Sequence, residues 1–173
     1  MFCKKLFFYN LIFFSLYAQE DLKYQVPPKA ILDLIDVTMP PRVLVDDNKN
    51  YMIYLYRDTY KTIEELSEKE MRLAGLRINP KTNIGSRVSY YNNIKISSVG
   101  NSPSKIYDVK GMPRGPRLSN IKWSPDQTKI AMTNTTKEGV ELWILDLKSS
   151  KLKRLTGPRL NANLGNVINW FKD

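Results

Sequence analysis

Residues 120–157 read NIKWSPDQTKIAMTNTTKEGVELWILDLKSSKLKRLTG, and this stretch decides the fold. Ile121-Lys122-Trp123 is a first short strand. Ser124-Pro125-Asp126-Gln127 follows as a turn with proline in its second position, and Lys129 to Thr133 is a second strand. Polar residues Asn134 to Gly139 turn the chain again. Val140 to Leu147, rich in Val, Leu, Trp and Ile, is a third strand; after Lys148-Ser149-Ser150, Lys151 to Leu155 alternates as a fourth. Four antiparallel strands in so short a stretch describe one meander sheet.

The stretch recurs on both sides of itself. Downstream, residues 167–173 repeat Asn120 to Asp126 at an offset of 47, bringing Trp170 to the position of Trp123. Upstream, Val43-Leu44-Val45-Asp46-Asp47-Asn48-Lys49 precedes Ile121 to Gln127 by 78, and Tyr51 to Tyr56 matches the second strand. Ile94-Lys95-Ile96 precedes Leu142-Trp143-Ile144 by 48, and Lys105 to Gly111 precedes Lys151 to Gly157 by 46. The step from 78 to 48 is an insertion of about 30 residues between the second and third strands of the upstream unit. Within it, Thr62 with Glu65 reads as a capping box opening a short helix through about Met71, and Leu73 to Ile78 as an extra strand ending at Asn79-Pro80. Ahead of the repeats, Gln25-Val26-Pro27-Pro28 is an extended arm, and Ala30 to Val37 fits either helix or strand.

A period near 47 residues with four strands per unit is the signature of a β-propeller blade. Middle strands of a blade are covered on both faces, which suits Tyr51-Met52-Ile53-Tyr54-Leu55-Tyr56, apolar in both phases. A free-standing eight-stranded sandwich does not require Trp170 to recur. The expected fold class is therefore all-β: an incomplete β-propeller of about two four-stranded blades and the start of a third, with a short helical insertion. The expected divisions are a signal peptide over residues 1–18, an N-terminal arm over 19–41, and blade one over 42–111 with its insertion at about 58–93. Blade two covers 112–160, and the truncated start of blade three covers 161–173. Propellers close with about four to eight blades. These cannot close alone, so the expectation is the N-terminal piece of a longer protein.

Compartment and partners follow from composition. Lys4 and Lys5, an apolar run from Leu6 to Tyr17, and Ala18 before Gln19-Glu20-Asp21 have the tripartite form of a secretory signal. The apolar run is shorter than the roughly 20 residues of a spanning helix, so no stable membrane span is expected. The single cysteine, Cys3, lies inside the leader, and a mature chain without disulfides fits a bacterial periplasm or a secreted location. The formal charge of +10 falls to +8 without Lys4 and Lys5, and the remaining cations are scattered, which argues against nucleic acid as a partner. The chain has no histidine. That excludes Ser-His-Asp and Cys-His catalysis and His-ligated metal for this polypeptide, so no catalytic residue, cofactor or metal is expected.

Among individual residues, Trp123, Trp143 and Trp170 sit where blades pack on one another, and Asp126 and Asp146 where a side chain closes a turn. Gly100-Asn101-Ser102-Pro103-Ser104 lacks the second glycine of a nucleophile elbow. The candidates for function are Arg117 and Arg159. They stand in Gly115-Pro116-Arg117-Leu118 and Gly157-Pro158-Arg159-Leu160, 42 residues apart, each before a first strand and so near one mouth of a central channel. The plainer alternative is a solvated loop cation beside a structural Gly-Pro.

Several runs resemble secreted bacterial serine peptidases of the prolyl oligopeptidase family, in the glutamyl-endopeptidase-like branch. They are Pro27 to Leu34, Ile63 to Leu66, Arg72-Leu73-Ala74-Gly75-Leu76-Arg77-Ile78-Asn79-Pro80, the blade residues Trp123 to Asp126 with Leu142 to Asp146, and Arg154 to Asn163. The blade motif is shared by many propellers; the runs Arg72 to Pro80 and Leu155 to Asn163 are more specific. Asp46-Asp47-Asn48 departs from the usual Ser-Pro-Asp turn, and Gln127 stands where glycine is common. The resemblance implies an N-terminal propeller that gates peptide access to a C-terminal α/β-hydrolase domain carrying Ser, Asp and His, none of which falls in this chain. In that setting Arg117 and Arg159 would steer acidic peptides. The alternative function is a non-enzymatic propeller binding module of the cell envelope, sharing the Ser-Pro-Asp turn.

Overall fold

A computed structural model describes residues 25–100 and 105–171, so the leader expected at 1–18 lies outside the described residues. The chain divides into residues 1–37 and 38–173. In the first unit, the stretch that fitted either helix or strand is helix α1 (Lys29–Ile35), with no buried residue and a Lys29–Asp33 pair one turn apart at 3.5 Å. So exposed a pair contributes little.

The second unit is β-rich. Its elements are β1 (Arg42–Val45), β2 (Tyr51–Tyr56), helix α2 (Ile63–Ser67), β3 (Met71–Leu73), β4 (Leu76–Asn79), β5 (Ile84–Gly85), β6 (Asn93–Ser98) and β7 (Ile106–Asp108). They continue with β8 (Leu118–Trp123), β9 (Lys129–Thr135), β10 (Val140–Asp146) and β11 (Lys151–Arg154). Among the described residues these make three antiparallel sheets and no closed barrel: β1-β2-β6-β7, β8-β9-β10-β11, and β3-β4-β5. The first two are up-and-down meanders, and their strands stand at the sequence offsets of 78, 48 and 46.

The departure at Asp46 leaves turn geometry unchanged. Ser124 N donates to Lys129 O, Gln127 N to Ser124 O, and Gln127 has φ 57°. At the upstream turn Asp46 N donates to Tyr51 O, Lys49 N to Asp46 O, and Lys49 has φ 55°. The Ser124 hydroxyl accepts from Lys129 N at 2.9 Å; Asp46 Oδ1 takes that place, accepting from Tyr51 N at 2.6 Å and Asn50 N at 2.7 Å. Either side chain supplies the acceptor that the turn's amides need. The first strand of the second meander starts earlier than Ile121 because a bulge between Ser119 and Lys122 absorbs one residue. That residue is Asn120, whose φ is 50° and whose side-chain amide donates to Thr133 Oγ1 at 3.0 Å.

The two meanders share one core. Ile53 lies opposite Ile96 and Leu55 opposite Ile94, giving the first sheet an apolar face. That face and Ile130, Met132, Leu145 and Leu152 of the second sheet belong to one buried cluster, with Trp123 and Trp143 packed against it. Each fully buried Ile or Leu contributes about 1.5–3 kcal/mol. The opposite faces are covered only in part: Ser97 and Ala131 lie buried on them, while apolar side chains around them stay exposed. On the first sheet Val43, Val45 and Ile106 are 44%, 48% and 49% exposed. On the second, Ile144, Leu155 and Trp170 line an open groove with Lys129, Lys151 and Lys153.

The insertion differs from its expectation. The capping box forms, with Thr62 N donating to Glu65 Oε2 and Glu65 N to Thr62 Oγ1, but α2 ends at Ser67 rather than near Met71. Glu68 leaves helical geometry, and the acidic side chains that favoured continuation are taken by tertiary partners: Glu68 accepts from Asn79 and Glu70 from Arg72, Arg77 and Ser86. The single strand expected over Leu73 to Ile78 is a hairpin instead. Ala74 and Gly75, with φ 45° and 88°, turn the chain between β3 and β4, and β5 completes a small sheet.

Candidate functional site

Several strand ends and the insertion converge on one rim. Asn92 N donates to Tyr56 O, Tyr91 and Leu118 exchange two backbone bonds of 2.9 Å, Thr135 N donates to Arg117 O, and Leu160 N donates to Val140 O. The insertion reaches the same rim, where Ala162 N donates to Asn83 O at 2.8 Å beside a parallel bridge between Ile84 and Ala162. Arg117 and Arg159 therefore flank the β9–β10 hairpin end, Arg117 on the β9 side and Arg159 on the β10 side. Pro158 anchors the second loop: a Cβ on Gly139, whose φ is 153°, would stand 2.5 Å from Pro158 O.

The two arginines differ in what surrounds their charge. The Arg117 guanidinium sits 4.4 Å from the Tyr90 ring centroid, 3.0 Å from Glu68 and 3.8 Å from Glu65. Its Nε is buried without a hydrogen-bond partner. Burial pulls the guanidinium down, but its bond to Glu68 and the negative charge around it outweigh that and hold it above its ordinary value. Burial pushes the Tyr90 phenol up, against the opposing charge of Arg117. Arg159 is exposed and, among the described residues, forms no ion pair. The positive charge of Arg117 is thus spent inside the molecule, whereas that of Arg159 faces solvent.

A polar chain runs inward from Arg117. Its backbone N–H donates to Asn134 Oδ1 at 3.0 Å, and the Asn134 amide donates to Glu141. Glu141, buried, also accepts from Trp143 Nε1 at 2.8 Å and Arg154 at 3.0 Å. Burial pushes its carboxyl up, but these three donors prevail and hold it below its ordinary value. Beside Arg117, a cleft of about 170 Å³ is lined by Arg57, Lys61, Tyr60, Glu65, Tyr90 and Arg117 among others.

The other sequence-selected residues lie in the scaffold. Asp126 accepts from the Ser124 hydroxyl at 2.6 Å and from Thr128 N and Oγ1, which lowers its carboxyl to about 2. Asp146 caps the next turn through Ser149 N and Oγ. Trp170 Nε1 donates to Lys122 O, so the downstream repeat of Trp123 lies along β8. Glu65, Glu68, Tyr90 and Glu141 were missed at the sequence level. The glutamates at the short helix and a loop tyrosine carry no local mark of Arg117, which lies tens of positions away, and Glu141 reads locally as an ordinary strand residue.

No family model matches the chain, and no solved structure matches it. Two curated proteins do. The chain is 30% identical over 142 residues to an Oryza sativa subsp. japonica protein named "Probable glutamyl endopeptidase, chloroplastic", which covers 76% of this chain and 15% of that protein. It is 26% identical over 141 residues to an Arabidopsis thaliana protein of the same name, covering 76% of this chain and 14% of that protein. The likeness points to a peptidase-related family and to a piece of the size of one part of such a protein. The chain spans about 15% of the length of these curated relatives. Their chloroplastic naming lends no support to a bacterial periplasmic or secreted location. Among the described residues no helix is long and apolar enough to cross a membrane.

Proposed function

We propose that this chain is the N-terminal propeller portion of a prolyl-oligopeptidase-type serine peptidase, gating peptide access to an α/β-hydrolase domain and non-catalytic by itself. The observation that carries the reading is a pair of incompletely covered faces: two repeated meanders share one core, and the outer face of each still presents apolar side chains. A blade buries its faces against neighbours, so these surfaces are where further blades would pack. Likeness to two long peptidase-named proteins over a small share of their length supports the same reading. Export is proposed from the Lys4 to Ala18 leader pattern. At the rim, Arg159 is the residue proposed to attract acidic peptides, since its charge is unspent, while Arg117 is proposed to hold the insertion in place.

The test compares this chain with the protein that continues past Asp173. The continued protein is expected to hydrolyse a short quenched-fluorescence peptide, to lose that activity to a serine-directed phosphonate, and to spare a folded protein substrate. The 173-residue chain is expected to do none of this. A continued protein that binds peptides but never cleaves them would overturn the peptidase reading.

A further inference from the structure

The insertion is held together and held down by different forces. Internally it is tied by the β3-β4-β5 ladder and by Glu70, which gathers Arg72, Arg77 and Ser86 and is lowered to about 2 by those partners, Ser86 foremost. Its helical end is attached to the rest of the unit by charge: Glu64 to Lys137 at 2.9 Å, and Glu65 and Glu68 to Arg117. The apolar side chains of α2 take no part, since Ile63 and Leu66 are 86% and 70% exposed. The firmer anchor is at the other end, where Ile84 is buried beside Ala162. One end of a stiff element is thus packed and the other is latched by ion pairs over a cation-bearing cleft.

We propose that α2 is an electrostatic gate over a carboxylate site, closed by Glu65 and Glu68 on Arg117 and opened by an acidic peptide that takes their place. Three observations converge on it. Arg117 already holds carboxylates, so exchange replaces like with like. Its Nε is a buried donor with no partner, leaving one hydrogen bond for a differently placed carboxylate to gain. The cleft beside it holds Arg57 and Lys61, and its acids are Asp58, taken up by Asn92 at 2.7 Å, and Glu65, which belongs to the gate itself. Lifting α2 would therefore leave a cleft with three cations beside Tyr60 and Tyr90. This deepens the reading of the rim as a peptide-handling surface and rests on that reading.

The test uses the full chain and fluorescein-labelled hexaglutamate, with hexalysine as the control, followed by anisotropy. Glu65→Gln with Glu68→Gln removes the gate's charges while keeping their shape, and is expected to tighten hexaglutamate binding about tenfold, as for a close charge pair. Adding Arg117→Gln to that variant is expected to abolish the gain. In the unaltered chain, hexaglutamate is expected to speed amide exchange in residues 62–70 and leave β9 unchanged. Should the double variant fold poorly, judged by β9 exchange, the single Glu68→Gln is read in its place with a smaller gain in the same direction. Unchanged affinity in the gate variants, or exchange in 62–70 that ignores the peptide, would overturn the proposal. Peptide hydrolysis by the continued protein alongside such a result would sink the gate alone, whereas a working gate in a protein without hydrolysis would sink the peptidase reading alone.

Discussion

Val45 and Ile106 stand in one row across the first sheet, through the register Val45–Met52–Ser97–Ile106, on the face turned away from the shared core. They are 48% and 49% exposed, so about half of each side chain remains to be covered. Complete burial of such a side chain is worth about 1.5–3 kcal/mol, which leaves about 1 kcal/mol per residue to be gained from a neighbouring sheet. Replacing both with aspartate removes that gain. It also places two carboxylates where the neighbour would exclude water, at a further cost of at least ~1 kcal/mol each. In the 173-residue chain the same changes cost strand preference, up to about 1 kcal/mol per site, and the burial each side chain already has, losses shared by both proteins. Urea unfolding of both proteins, with and without Val45→Asp and Ile106→Asp, isolates the difference, because these shared losses cancel. The expected excess loss in the continued protein is about 4 kcal/mol, the sum of these terms. Equal losses in the two proteins would mean that nothing further packs on this face and would refute the reasoning from incompletely covered blades.

Two further outcomes follow from close geometry and from titration. Gly111 has φ 80°, and a Cβ there would stand 2.5 Å from Leu152 O, next to the Leu152 N to Lys110 O bond of 2.8 Å. Gly111→Ala is expected to cost about 2–3 kcal/mol, combining left-handed strain with a weakened backbone bond. Gly115→Ala, at φ 56° in open space, is expected to cost only about 1 kcal/mol; equal melting shifts for the two would dismiss the close approach. Glu141 is held below its ordinary value of 4.5, so its stabilisation is complete above that pH and is lost as pH falls through its folded value. Glu141→Gln is expected to flatten the fall in urea midpoint below about pH 4.5, the carboxylate's unfolded range. An unchanged slope would show that the buried network does not depend on the charge.

Most of the scaffold was legible from residue order alone, and the rim was not. The meanders could be read because each strand and turn is specified by neighbours a few positions away: alternation and β-branched runs for the strands, Ser124 or Asp46 for the tight turns, Thr62 with Glu65 for the start of α2. The misreadings also have local causes. Ala74-Gly75 is a weak turn signal inside an apolar run, and Glu68 and Glu70 favour helix until a partner outside the helix claims them. Arg117 and Arg159 were indistinguishable in sequence, since both follow Gly-Pro at matching positions. Only the folded chain separates them, because the first meander carries the insertion whose Glu65 and Glu68 reach the loop of Arg117, while no described carboxylate pairs with Arg159.

By itself, then, the order of residues determined the repeat, the sheet-forming strands, the turns and the charge of the chain, all of which rest on interactions short in sequence. The tertiary structure alone decided which faces are covered and where each charge is spent. Burial and ion pairing join residues tens of positions apart, and no local pattern encodes the distance between them.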